Sequence, residues 1–442
     1  MPLRSFALVA GKEWRELLAS RAYWLLLLII GPLTGHAFLT AVATYSEMSA
    51  GALAQGLSPL DGLLAPTFGA YDLAVTLLFP FVAIRLISSE KENGAWKLMR
   101  QSPPGLGWQL AAKGLVLAAG WAVAWLPALA ALLLWRLYGG WLFAPETLNL
   151  IAGHVLRMML AASVAVAAAA IANNAATAAI AALGFTVGTW ALDFVAAGRG
   201  GWLEQAAAYT PAAALRSFEH GLLSTSTVVV TVALAVCGFV LAAVWLPARR
   251  RSATVWMTAA TLSIAALACA AGSTSRTSWD CSENRRNSFT SAEETALRRI
   301  VRPLAVTVVL APEDPRLSDL DRNVLSKLKR VLPQVNVEYS AHSRTGLFEA
   351  GDHYGEIWYQ MDGRRVMSRS TTEPIVIETV LSLAGVAQPG AGKDAPYAGH
   401  PLTTEPVGAA WLYYLAWPAI VLLGWWGHET TAAVGFERGA SD

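Results

Sequence analysis

Charge is scarce in this 442-residue chain, at 14% of residues, where soluble domains carry roughly 25%. That deficit excludes an ordinary soluble protein and fits several membrane spans. The net charge of +2 gives no general attraction to nucleic acid. Cysteine is scarcer still: the three are Cys237, Cys269 and Cys281, and the first two fall in apolar runs. No CxxC or Cys/His spacing is present, so neither a metal centre nor a disulfide framework is expected. Catalytic signatures are also missing: there is no nucleophile elbow, HExxH or paired-carboxylate pattern. His342, His353 and His400 are scattered in polar stretches, and His428-Glu429 lacks a second histidine. The GAGKD run at 390–394 falls short of a phosphate loop, because Ala387 and Asp394 stand where Gly and Ser or Thr are required. The chain is therefore expected to be no enzyme and to bind no cofactor of its own. Scattered charges before the first apolar run (Lys12, Glu13, Arg15, Glu16, Arg21) argue against a cleaved leader.

What is present is a change of character near residue 272. Residues 276–370 hold 28 of the 64 charged residues, which marks a folded polar domain between apolar stretches. A span needs about 20 mostly apolar residues. Eight such runs are expected, at about 22–44, 72–88, 112–137, 150–172, 176–197, 225–247, 253–271 and 408–427. Asn173 and Asn174 break an Ala-rich run between the fourth and fifth. A tight polar turn costs less there than two amides in mid-bilayer. Lys and Arg fall mostly on one face: Arg4, Lys12, Arg15 and Arg21; Arg85, Lys91, Lys97, Arg100 and Lys113; Arg249 to Arg251. That bias predicts both termini in the cytoplasm and residues 273–407 outside. The fold class is a polytopic α-helical membrane protein of about 8 spans, with a small extracytoplasmic α/β domain between the last two.

Within that domain, a capping box at Ser291–Glu294 is expected to open a short helix. LAVTVVL at 304–310 reads as a buried strand, 317–332 as an amphipathic helix and VNVEY at 335–339 as a second strand. Asp362-Gly363 joins two strands as a hairpin, 373–385 reads as a helix, and 386–407 reads as a linker. Few polar residues interrupt the spans. Of these, Arg157 and Asp193 are expected as anchors toward the outer ends. The small-residue stretch 162–184 suits close packing, either inside one chain or between two copies.

The connection ISSEKENGAWKLMRQSPPGLGWQLAAKGL reads as a helix from about Ser88 to Arg100, ended by Pro103 and Pro104. Its Ser89, Glu90, Glu92, Gly94, Leu98, Ser102, Pro103, Trp108 and Lys113 fall in step with the cytoplasmic loop of type-2 ABC exporter permeases, which this segment resembles. KEWRELLASRAYW at 12–24 is similar to the interface helix of such permeases. YTPAAALRSFEHGLLSTSTVVV at 209–230 is similar to their re-entrant external segment, with Pro211, Phe218 and Gly221 matching. The resemblance covers residues 1–250. Beyond it, WDCSENRRNSF resembles the start of the external domain of gliding-motility-type auxiliary ABC proteins, through Asp280, Glu283, Asn284, Arg286 and Ser288. Only the first portion of that longer domain has a counterpart here.

The resemblance implies a six-span permease core at 1–250, a seventh span at 251–272, an external domain and linker at 273–407, and an eighth span with a short tail at 408–442. It implies an exporter permease of the bacterial inner membrane, working as a homodimer. A separate cytoplasmic P-loop ATPase dimer would carry the ATP and Mg. It further implies ATPase coupling through Ser89, Glu90, Glu92, Gly94, Lys97, Leu98 and Arg100, with Glu90 as the polar anchor and Gly94 permitting close approach. The alternatives are a non-transporting envelope-remodelling machine and a membrane sensor with an external ligand domain.

Overall fold

The computed structural model describes residues 2–51, 54–96, 105–196, 201–247, 250–312, 314–341, 352–390 and 397–439. The chain is mostly helical, and eight of its helices are long and apolar enough to cross a membrane. They are α2 (Arg21–Ala50), α3 (Leu60–Glu92), α4 (Gly107–Leu137), α5 (Ala144–Ile171), α6 (Ala175–Ala196), α9 (Thr225–Trp245), α10 (Arg251–Ser273) and α14 (Ala409–Thr430). A short helix, α1 (Pro2–Leu18), precedes them. The break between α5 and α6 falls at 172–174, so the two asparagines do form a turn.

The chain divides into two compact units. The first comprises 1–187, 226–275 and 398–442; the second comprises 188–225 and 276–397. Residues 188–225 thus group with the polar domain, a different partition from the one the sequence suggests.

In the first unit, alternate helix ends meet at opposite ends of the bundle. Lys113, early in α4, reaches the Leu86 carbonyl near the end of α3. At the other end the Tyr45 hydroxyl donates to the His400 carbonyl at 2.7 Å, and the Tyr138 hydroxyl donates to the Val407 carbonyl at 2.9 Å. Half of the expected linker is therefore docked. Gly56 N–H bonds Ala398 O, His400 N–H bonds Leu57 O, and Ser49 and Ser46 accept from Leu402 N and Thr404 N.

The last span packs on the first through two glycines one turn apart. A Cβ at Gly31 would lie 2.0 Å from the Trp417 ring, and one at Gly35 would lie 2.2 Å from that of Tyr413. The missing side chains are the groove into which the two rings fit. The first half of the small-residue stretch is internal packing: Ala165, Ala169 and Ala170 are buried, and a Cβ at Gly238 of α9 would collide with Ser163. The second half, in α6, is largely exposed.

The second unit holds a four-stranded sheet in the order β4-β3-β5-β6. Its strands are β3 (Leu304–Val308), β4 (Val335–Tyr339), β5 (Ile357–Met361) and β6 (Arg364–Ser368). β3 and β4 are parallel, joined through the continuous helical segment α12 (315–331), whereas β5 pairs antiparallel with β3 and β6. Leu304, Val306 and Val308 alternate into the core with Leu320, Leu328, Tyr359 and Val380. The hairpin turn has Asp362 at φ 48° and Gly363 at φ 75°, both left-handed as a tight turn of this kind requires. Helix α11 (Ser291–Leu297) is capped one residue earlier than expected: Thr290 and Glu293 form the box. Helix α13 (Glu373–Ala384) ends on Gly385 at φ 69°.

One pairing has no counterpart in the sequence reading. β1 (Leu222–Ser224) pairs antiparallel with β2 (Ser278–Asp280). The short helices α7 (Gly201–Ala207) and α8 (Pro211–Glu219) lead into β1. This pairing joins the segment before α9 to the start of the polar domain.

Candidate functional site

The best-defined charged site is built at one end of the bundle from α1, α3 and α4. One face of α1 carries Glu13 and Leu17, both fully buried. Near the end of α3, Glu90 is 1% exposed, and early in α4, Lys113 is 2% exposed. Lys113 Nζ lies 2.5 Å from Glu13 Oε2 and 2.9 Å from Glu90 Oε2. Lys12 Nζ donates to Glu90 Oε1 at 2.5 Å and stands 3.0 Å from Glu16. Buried charges persist only when paired in this way. Burial pushes the Glu13 carboxyl up. Burial alone would lower the Lys12 ammonium, but its hydrogen bonds to Glu90 and Glu16 outweigh that and raise it. Oxygens of Glu13, Glu16 and Glu90 lie within 4.8 Å of one another, close enough to hold a cation. The ammonium groups of Lys12 and Lys113 already supply that positive charge.

The next two residues of α3 tie down the turn between α5 and α6. Lys91 Nζ donates to the carbonyls of Ala169, Ala170 and Ala172 at 2.9, 3.0 and 2.5 Å, at the C-terminus of α5. Glu92 Oε1 accepts from Ala175 N at 3.1 Å, at the N-terminus of α6. A cation on orphan carbonyls and an anion on an orphan N–H both complement the helix dipoles. Trp96 is buried and donates to the Leu246 carbonyl, just past the end of α9, at 3.0 Å.

These contacts revise the sequence expectations. Glu90 lies inside the chain's own charge lattice, where its two oxygens meet lysines of this chain. The expected continuous helix from Ser88 to Arg100 is broken: Asn93 ends α3 by bonding back to Ser89 O, and Gly94 follows at φ +76°. Nothing in this chain lies within 4 Å of a Cβ placed at Gly94, and the left-handed backbone there is one that glycine adopts most readily. Lys97, Leu98 and Arg100, like residues 391–394 of GAGKD, lie outside the described residues. Arg157 is not an end anchor. It is 8% exposed within the bundle, with its Nε 3.4 Å from Asp72 of α3. Beside it, His154 is 2% exposed, its ring 5.2 Å from that of Phe68. Asp193 does find a partner near the end of its helix, Arg216 at 2.7 Å.

Pro211, Phe218 and Gly221, expected on the external side, come together in the second unit. Pro211 opens α8 behind the Thr210 cap, and Phe218 is buried. Gly221 sits at φ +78° against Ser282, whose Cβ would be 2.8 Å from an added Cβ. Cys281 N–H bonds Gly221 O at 2.8 Å, and Asn287 Nδ2 donates to His220 O at 2.7 Å. The facing loop is organised by Asp280, which accepts from Ser282 N and Oγ, Asn287 N and Nδ2, and Ser288 Oγ at 2.5 to 3.1 Å. The resemblance at 280–288 is thus carried by residues that build a loop: Asn284 accepts from Arg286 N, and Tyr397 donates to Glu283.

Together these features define a polytopic helical protein with a charge-locked bundle end and a separate α/β unit. No family model, curated protein or solved structure matches the chain.

Proposed function

We propose that this chain is the membrane permease subunit of an ABC exporter, driven by a separate cytoplasmic P-loop ATPase dimer. The observation that supports this most is the reach of one segment. Between Leu86 and Trp96, side chains or carbonyls contact α1, α4, α5, α6 and the residue after α9. A partner that displaced this segment would move the ends of all of them together, which is what coupling requires. Lys97, Leu98 and Arg100 are the contact residues. Glu90 acts as an internal strut that ties the interface helix α1 to the segment. The Lys and Arg bias puts this end in the cytoplasm of a bacterial inner-membrane protein, with both termini there and 273–407 outside. Two copies supply the paired segments an ATPase dimer needs, and ATP and Mg belong to that partner.

The β1–β2 pairing favours a second reading. Because the external segment and the polar domain share a sheet, ATP-driven movement of one would move the other, as in an envelope-remodelling machine. Gentle extraction of the tagged chain, with mass spectrometry of its companions, tests the main reading. A stoichiometric Walker-motif ATPase, lost in Lys97→Glu/Arg100→Glu, is the expected result. A chain purified intact from its native host with no ATPase contradicts it. Substrate flux in proteoliposomes then separates export from remodelling.

A further inference from the structure

The second unit contains a cavity of about 400 Å³ between β2, the Asp280 loop, α11 and α12. That size suits a small organic ligand more than a single ion. Five cationic side chains line it: Arg276, Arg285, Arg298, Lys327 and Arg330. Only two carboxylates do, Asp280 and Glu294, so the lining carries an excess of positive charge.

The pairing inside this lining is uneven. Asp280 is saturated by neutral donors from Ser282, Asn287 and Ser288. Glu294 is taken by Arg298 at 3.2 Å, and Lys327 by Glu373 at 2.7 Å. Arg285 and Arg330 pair with no carboxylate within 4.0 Å among the described residues. Arg330 is half-buried, with its Nε 3.4 Å from Ser326 O, and the charges of Asp280 and Glu294 act on it without a direct ion pair. Arg285 sits at φ 52°, a left-handed conformation that a bulky residue rarely adopts. The loop enforces it: Arg285 N–H bonds Ser282 O, and Ser288 N–H bonds Arg285 O. Such strain persists only where the surroundings hold it. Arg285 also lines a second cavity, of about 490 Å³, which shares Ser288, Phe289 and Lys327 with the first. The one strained cation thus stands at both.

We propose that the Asp280 loop and α12 form a binding site for a phosphate-bearing ligand, held by Arg285 and Arg330. Guanidinium forks match phosphate oxygens two at a time, and two such forks suit the several oxygens of a phosphate better than the two of a carboxylate. The phosphate could belong to a soluble phosphoester or to a phospholipid headgroup. This site does not depend on the ABC reading.

The test uses the full chain. In neutral detergent, binding of glycerol 3-phosphate is measured by calorimetry, with glycerol as the control. In nanodiscs, retention of phosphatidylglycerol over phosphatidylcholine is measured by native mass spectrometry. Binding of glycerol 3-phosphate supports the site with a soluble source, and retention of phosphatidylglycerol alone supports it with a lipid source. In either case Arg285→Ala/Arg330→Ala is expected to weaken binding about tenfold or more. Arg298→Ala, whose guanidinium is engaged by Glu294, is expected to weaken it less. If the double variant folds poorly, Arg285→Gly removes the cation while relieving the left-handed strain, and must still weaken binding. Absence of binding to both probes, or unchanged binding in Arg285→Gly, overturns the proposal.

Discussion

The bundle end and the Asp280 loop handle charge in opposite ways. At the bundle end, ion is set against ion: Glu13, Glu90, Lys12 and Lys113 neutralise one another inside the protein. In the second unit, Asp280 is met by hydroxyls, amides and backbone N–H groups. The first arrangement leaves little charge to spare and makes a tie between helices. The second satisfies the anion with neutral donors, so Arg285 and Arg330 line the neighbouring cavity without a carboxylate within 4.0 Å among the described residues. A carboxylate is rigidifying in both places, but only the second pattern leaves a binding surface.

The largest effect that would sharpen this comparison is expected at Lys113. Lys113→Met strands Glu13 and Glu90 without their shared partner, and removing one member of a buried pair typically costs about 3–5 kcal/mol. Thermal unfolding of the purified chain should show a large drop in midpoint, and an unchanged midpoint would mean the lattice is dispensable. Asp280→Ala should be next, on the order of 3 kcal/mol, because hydrogen bonds to a charged group contribute about 1.5–3 each. The loss should be local, read as faster hydrogen exchange at 281–288 with the bundle unaffected. Gly94→Ala should be smaller, about 1–2 kcal/mol, because its added Cβ meets no neighbour and only the left-handed backbone resists.

A pH effect should separate the two units as well. Burial would raise the Asp314 carboxyl, but hydrogen bonds from Arg316 and Tyr354 outweigh it and hold the group below its ordinary 3.8. A carboxyl lowered on folding contributes stability above that ordinary value, and the contribution is lost as pH falls through the folded value. The second unit should therefore lose stability below about pH 4. Asp314→Asn should flatten that dependence in thermal melts compared between neutral and acid pH.

Much of the architecture was legible because it follows from composition or from local chemistry. The apolar runs gave eight helices, Asn173-Asn174 gave the turn, and Asp362-Gly363 gave the hairpin. The capping box was misplaced by one residue because Thr290 and Ser291 both suit a cap and Glu293 and Glu294 both suit its partner. What was not legible depends on partners distant in sequence. Glu90 looks like an exposed loop charge until Lys12, 78 residues away, is brought beside it. Gly31 and Gly35 form a small-residue pair whose meaning lies in Tyr413 and Trp417, near the other end of the chain. β1 and β2 are three residues each and too short for alternation to show. Lys91 and Glu92 were visible as charges, but their task of capping two helices required knowing where α5 stops.

The central claim is that the Leu86–Trp96 segment couples the helix ends to an outside driver. Hydrogen exchange on the full chain in nanodiscs, with and without the proposed ATPase partner and ATP, tests it most directly. The account predicts that exchange changes at 86–96 spread to 168–177, to the start of α4 and to the end of α9. It also predicts that Lys91→Ala abolishes only the change at 168–177. A change confined to the segment, or none at all, would contradict it.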